Sequence, residues 1–134
     1  MARGRWARLA RPTGSKPPAE EKLAITAACE KLIAGVLRPR YLPEIRPTQF
    51  NYPIAISGKW HGNNYRFITR YRSGHADNLG WEFDAPFARL EYVSRDRFDV
   101  SYFRHTEEWF CLHRSVTLAQ AFRLIESEEL LHPP

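Results

Sequence analysis

The sequence lacks the features that identify several common classes of protein. It has only two cysteines and seven glycines in 134 residues. Two cysteines cannot build a disulfide framework, and the chain shows no secretory hydrophobic segment, so we expect a protein of the cytoplasm. No apolar run approaches the ~20 residues that span a bilayer, which predicts that no segment crosses a membrane.

Catalytic and metal-binding motifs are also missing. We find no phosphate-binding loop, no dinucleotide fingerprint and no Gly-x-Ser-x-Gly motif. Structural zinc sites usually show Cys-x-x-Cys or His-x-x-x-His pairs, whereas here Cys111 and His113 stand two apart. A Cys–His nucleophile needs an orienting acid and an oxyanion hole, and no motif supplies them. We therefore predict no enzyme, no metal site and no cofactor, with Cys111 packing on the helix side of a strand and His113 capping its end.

The charge of the chain is concentrated at one end. The net charge is +5, and residues 1–18 contain five basic residues and no acidic one, which leaves 20 − 5 = 15 basic residues against 15 acidic ones in residues 19–134. This distribution predicts a flexible basic tail over residues 1–18 and a single neutral domain over residues 19–134.

The tail has three interpretations. Its arginines and tryptophan suit an arm that binds nucleic-acid phosphates and stacks on a base. The same stretch also fits a short amphipathic turn on a membrane surface or a solvated extension. The tail residues that would contact nucleic acid are Arg3, Arg5, Trp6, Arg8 and Arg11.

The apolar pattern predicts a helix, then strands, then a second helix. Apolar residues recur at helical spacing from Ile25 to Val36, and we expect this helix to end at Pro39. Alternating patterns predict strands in residues 49–57, 65–72, 87–94, 97–104 and 109–113, with residues 73–86 as a long polar loop. A Thr-x-x-Gln capping box at Thr117 begins the last helix. The predicted fold is α+β, an antiparallel sheet of four to five strands packed by the N-terminal and C-terminal helices.

Two surfaces are candidates for binding. Residues 65–72 alternate aromatic with mostly basic side chains, so Arg66, Arg70 and Arg72 are candidate nucleic-acid contacts. Trp60 in a turn and Trp81 in the long loop are candidate anchors for a protein partner, because tryptophan dominates interface energetics. We expect a small non-catalytic binding or accessory domain that contacts a protein through exposed aromatics. The alternative is a nucleic-acid-binding protein that uses the arginine-rich arm and an arginine- and tyrosine-rich sheet face.

The order of these features resembles a bacterial family of about this size that is known only as a domain of unknown function. The resemblance covers roughly residues 20–128, and Thr69 and Arg89 depart from it, since the family pattern has an acidic residue and a lysine there. It implies the same layout of helices and sheet and no particular activity. The residues that carry it are Arg38, Pro39, Ile45, Arg46, Arg70, Arg72, Ala88, Arg89, Tyr92, Arg104, Trp109 and His113.

Overall fold

The computed structural model describes residues 16–134. The N-terminal helical region consists of α1 (Ala19–Leu32), a π-helical turn (Ile33–Leu37) and α2 (Arg38–Tyr41), and the C-terminal helix is α3 (Leu118–Ser127). The strands are β1 (Asn51–His61), β2 (Asn64–Ser73), β3 (Glu82–Ser94), β4 (Arg97–Phe103) and β5 (Trp109–Val116). Single 3₁₀ turns cover Ala76–Asn78 and Glu129–Leu131.

The first helical region continues past the proline that was expected to end it. Pro39 lies in the first turn of α2, and the helical backbone runs on to Tyr41, so that prediction is wrong. Inside a regular helix, the proline ring would clash with the carbonyl four residues earlier. Here a π turn directly precedes α2 and interrupts the regular hydrogen-bond ladder, so the proline occupies a helix start, where its missing N–H costs little.

The five strands form one antiparallel sheet in the order β1-β2-β3-β4-β5. With the two helical regions, this arrangement confirms the predicted α+β class. β1 is an edge strand with a bulge next to Pro53, as expected for a proline in a sheet. β3 begins at Glu82, within the segment predicted as a loop. Charged partners on β2 hold Glu82 and Asp84 in the sheet, and a single segment's apolar pattern cannot show such partners.

The hydrophobic core lies between one face of the sheet and the helices. α1 and the π turn bury Ile25, Cys29 and Ile33 against the sheet, and the π turn brings Leu37 into the core as well. α3 begins with the predicted capping box: Thr117 Oγ1 accepts from the Gln120 N–H at 3.1 Å, and the Gln120 side chain accepts from the Thr117 N–H at 2.9 Å. The sheet contributes large buried side chains, among them Tyr65, Phe67, Leu90, Phe98 and Val100.

The opposite face of the sheet is called the helix-free face below, because no helix among residues 16–134 packs on it. Away from the register shifts, its side chains alternate with the core residues along the strands. Within the described residues, no helix combines the length and the apolar character needed to cross a membrane.

Candidate functional site

Three basic side chains lie next to one another across the helix-free face. Lys59 on β1 is the register partner of Arg66 on β2, and Arg66 is the partner of Arg89 on β3. Neighbouring strands are about 4.8 Å apart, so the backbones that carry these charges span roughly 10 Å. We call these three residues the basic row. Like charges directly opposite each other repel across a sheet.

One tryptophan contacts both arginines of the basic row. The Trp109 ring centroid lies 4.7 Å from the guanidinium carbon of Arg89 and 5.5 Å from that of Arg66. These distances are within the range of a cation–π attraction. The Phe103 ring packs edge-on against Trp109, with centroids 5.0 Å apart. The indole therefore holds the two guanidinium groups close together and adds an aromatic surface to a basic one.

A small side chain makes this contact possible. Arg89 lies on β3 and Trp109 on β5, so their side chains meet above β4. The residue of β4 that stands opposite Arg89 is Ser101, which is only 3% exposed. A larger side chain at Ser101 would occupy the space through which Arg89 reaches the indole.

An acidic row lies beside the basic row. Glu91 on β3 is the register partner of Asn64 on β2 and of Asp99 on β4. Asp99 is 4% exposed, accepts from the Ser115 N–H at 2.9 Å and pairs with Arg114 at 3.5 Å. The three basic residues of the row and Arg114 outnumber these two acids by 4 − 2 = 2 charges. The Nε of Arg66 is buried without a hydrogen-bond partner among residues 16–134.

The other two predicted arginines of β2 are neutralised. Arg70 donates to both carboxylate oxygens of Asp84 at 2.9 and 3.2 Å, and Arg72 donates to Glu82 at 2.9 Å. The hydrogen bond to Asp84 is the main reason why the pKa of Arg70 is raised. Of the three arginines predicted on this strand, Arg66 alone belongs to the basic row.

The aromatic part of the site comes from a different strand than the sequence indicated. Tyr65 and Phe67, expected beside the arginines of β2, are buried beneath the helices at 1% and 0% exposure. The rings next to the two arginines of the basic row are Trp109, which both guanidinium groups contact, and Phe103, which packs on Trp109. Reasoning from single segments missed Arg89 and Trp109 as partners of Arg66, although both are among the residues that carry the family resemblance.

The two predicted tryptophan anchors have different surroundings. Trp60 is half-buried, its Nε1 donates to Thr26 Oγ1 at 2.7 Å, and the Lys22 ammonium lies 5.1 Å from its ring centroid. It therefore joins α1 to the sheet. Trp81 is 59% exposed, and the exposed Phe50 lies at the same end of the sheet, because the N–H groups of Ser73 and Gly74 bond to the Trp81 and Phe50 carbonyls respectively.

The cysteines are both free. Cys29 is fully buried, and burial, with a smaller contribution from Glu30, raises the pKa of its thiol to about 12. Cys111 stands opposite Ser101 on the helix-free face, so the prediction that it packs on the helix side is wrong. A register shift between its neighbours on β4 breaks the simple alternation of β5. No group of three metal-binding side chains occurs within residues 16–134.

The predicted tail contacts, Arg3, Arg5, Trp6, Arg8 and Arg11, lie outside the described residues.

The site described above lies within residues 59–115, inside the part of the chain that matches a known family. Residues 17–132 match the family described as a domain of unknown function, DUF3024. The chain belongs to the DUF3024 family. No curated protein and no solved structure matches the chain. Membership confirms the resemblance seen in the sequence, and the family's description assigns no activity to the DUF3024 domain.

Proposed function

We propose that this DUF3024 domain is a non-catalytic nucleic-acid-binding module that uses the helix-free face as its contact surface. The observation that carries the proposal is the basic row of Lys59, Arg66 and Arg89 with Trp109 beneath the two arginines. Proteins that bind nucleic acid combine phosphate-neutralising cations with aromatic or guanidinium surfaces on which bases stack. The module fits the bacterial cytoplasm expected from the sequence, where nucleic acid is abundant.

The chemistry of the basic row suits an anionic ligand. Arg66 and Arg89 are register partners on neighbouring strands, so one phosphate can contact both guanidinium groups. Charge-assisted bonds from arginine to phosphate are among the strongest hydrogen bonds in proteins. Arg70 and Arg72 already form ion pairs with acids of the same sheet, so the proposal assigns no phosphate to them.

The binding test measures fluorescence anisotropy of a labelled oligonucleotide with the full chain at several salt concentrations. We expect binding that weakens with salt, because phosphate neutralisation releases counterions. Arg66→Gln should weaken binding about 5- to 20-fold, in line with the loss of a charge-assisted hydrogen bond. The matched control is Arg123→Gln, which removes one charge from an exposed position on α3, a helix that packs on the other side of the sheet. No binding at low salt, or equal losses in both variants, would contradict the proposal.

The basic tail adds a second contact in this proposal. Its four arginines, Arg3, Arg5, Arg8 and Arg11, precede the domain and suit further phosphates. Removal of residues 1–17 should lower both the affinity and its salt dependence while the remaining protein keeps the weaker binding of the basic row. If the truncated chain binds as tightly as the full chain, the tail is not part of the interface.

A protein partner at the end of the sheet is the second candidate. Phe50, Leu79 and Trp81 are 59%, 75% and 59% exposed, and large exposed apolar side chains near one another mark interaction sites. The test is co-purification from the native host with and without nuclease. A partner that survives nuclease and is lost with Trp81→Ala supports this candidate, and a retained partner argues against it.

A further inference from the structure

The width of the sheet affects which class of nucleic acid the helix-free face can bind. Five strands at about 4.8 Å spacing make a face roughly 19 Å wide. The major groove of B-form DNA is about 12 Å wide and accepts a helix or a two-stranded ribbon. The basic row crosses β1, β2 and β3 on this broad surface, so the strands that carry it are together too wide to lie inside that groove. Contact with a duplex would then be mainly with its phosphate backbone.

A single strand can use the whole site. Its unstacked bases can lie on aromatic rings or on arginine guanidinium planes, and its backbone can follow a line of cations. The helix-free face provides both, because Trp109 and Phe103 form a pair of rings and Trp109 holds the guanidinium groups of Arg66 and Arg89. A duplex keeps its bases stacked inside and gains nothing from these rings.

We infer that the helix-free face binds single-stranded nucleic acid, with phosphates along Lys59, Arg66 and Arg89 and a base against the Trp109–Phe103 pair. This inference rests on the proposed function and names the class of ligand. In this arrangement the row supplies the salt-dependent part of the affinity and the rings supply the part that salt does not change. Because every base has a stacking face, binding tolerates different sequences.

The experiment compares a labelled single strand of mixed sequence with the duplex formed from it, at matched salt and with the full chain. We expect the single strand to bind at least about 10-fold more tightly, in line with the stacking contribution of one base. RNA and DNA versions of each show whether the 2′-hydroxyl matters. A duplex that binds as tightly as the single strand overturns the inference and leaves the proposed function intact, whereas failure of both ligands to bind overturns both.

Variants separate the two parts of the affinity. Trp109→Leu should weaken single-strand binding about 5- to 30-fold, as expected for loss of one stacked base, without changing the salt slope. Arg66→Gln should reduce the magnitude of the slope by about 0.7, the value for one phosphate of a single strand. Trp109→Phe keeps a ring and should retain most of the binding, which guards against a folding defect in Trp109→Leu. A Trp109→Leu protein that is folded by circular dichroism and binds normally overturns the role of the ring.

Discussion

Different interactions govern which side chains occupy the two faces of the sheet. On the covered face, Tyr65, Phe67 and Val100 are 1% exposed or less, and each position is explained by packing against the helices. On the helix-free face, the same strands place Arg66 directly opposite Arg89 and bring both to Trp109. Packing accounts for the first arrangement, and repulsion between neighbouring charges opposes the second. This difference is the reason why we propose the helix-free face as the functional surface.

The largest effect should come from the covered face. Phe67 is fully buried and its ring contacts Tyr65 and Phe87. Phe67→Ala should lower the free energy of unfolding by about 3–5 kcal/mol, as large-to-small core changes do. Urea unfolding followed by circular dichroism measures this loss. A loss below about 1 kcal/mol, the level of surface changes, would mean that the covered face is not the core.

Two tryptophan variants should have stability losses of intermediate size, and they compare a half-buried ring with an exposed one. Trp60→Ala removes the hydrogen bond to Thr26 and the edge-on contact with Tyr65, so it should cost about 2–3 kcal/mol, less than a fully buried tryptophan. Trp81→Ala should cost about 0.5 kcal/mol or less, because that side chain is 59% exposed. Thermal unfolding of both variants gives the comparison, and equal losses would assign both rings to the core.

The buried Cys29 thiol, which lies in the core against the covered face, should make the free energy of unfolding depend on pH. Burial raises the pKa of Cys29 from its ordinary value of 9.0 to about 12. The thiol therefore ionises first in the unfolded chain, and its contribution to stability is complete below pH 9 and lost as the pH rises towards 12. The loss is at most about 1.4 kcal/mol per pH unit.

Cys29→Ala isolates this contribution. Unfolding free energies between about pH 9 and pH 11 should fall less steeply in the variant than in the original chain, since an alanine has no proton to lose. Cys111→Ala is the matched control, because Cys111 is only partly buried. Identical slopes in the original chain and in Cys29→Ala would show that the thiol is accessible to water.

The smallest expected change in stability lies on the helix-free face. Arg66→Gln removes both the repulsion from Arg89 and the cation–π contact with Trp109, two effects of opposite sign, so the free energy of unfolding should change by no more than a few tenths of a kcal/mol. The same variant should lose nucleic-acid affinity, as described above. A marked loss of stability would show that Arg66 supports the fold, and the contrast between the two faces would then fail.

The site was only partly predictable from the sequence. Arg66 was a candidate from the alternation of β2, and the structure places it in the basic row. Arg70 and Arg72 looked equivalent to it, yet the register with β3 gives them Asp84 and Glu82 as partners. Trp109 lies in the strand predicted over residues 109–113, without any sign in the sequence that it would meet Arg66, because the two residues are distant in the chain.

The sequence by itself determined the local structure: the helical stripe from Ile25 to Ile33, the capping box at Thr117 and the alternation of the strands. These features depend on neighbours within a few residues, so the chain shows them directly. The tertiary structure alone decided that Arg66 stands beside Arg89 above Trp109, and that the helix continues beyond Pro39 after a π turn. Strand register and long-range packing set these contacts, because they depend on which distant segments become neighbours when the core forms.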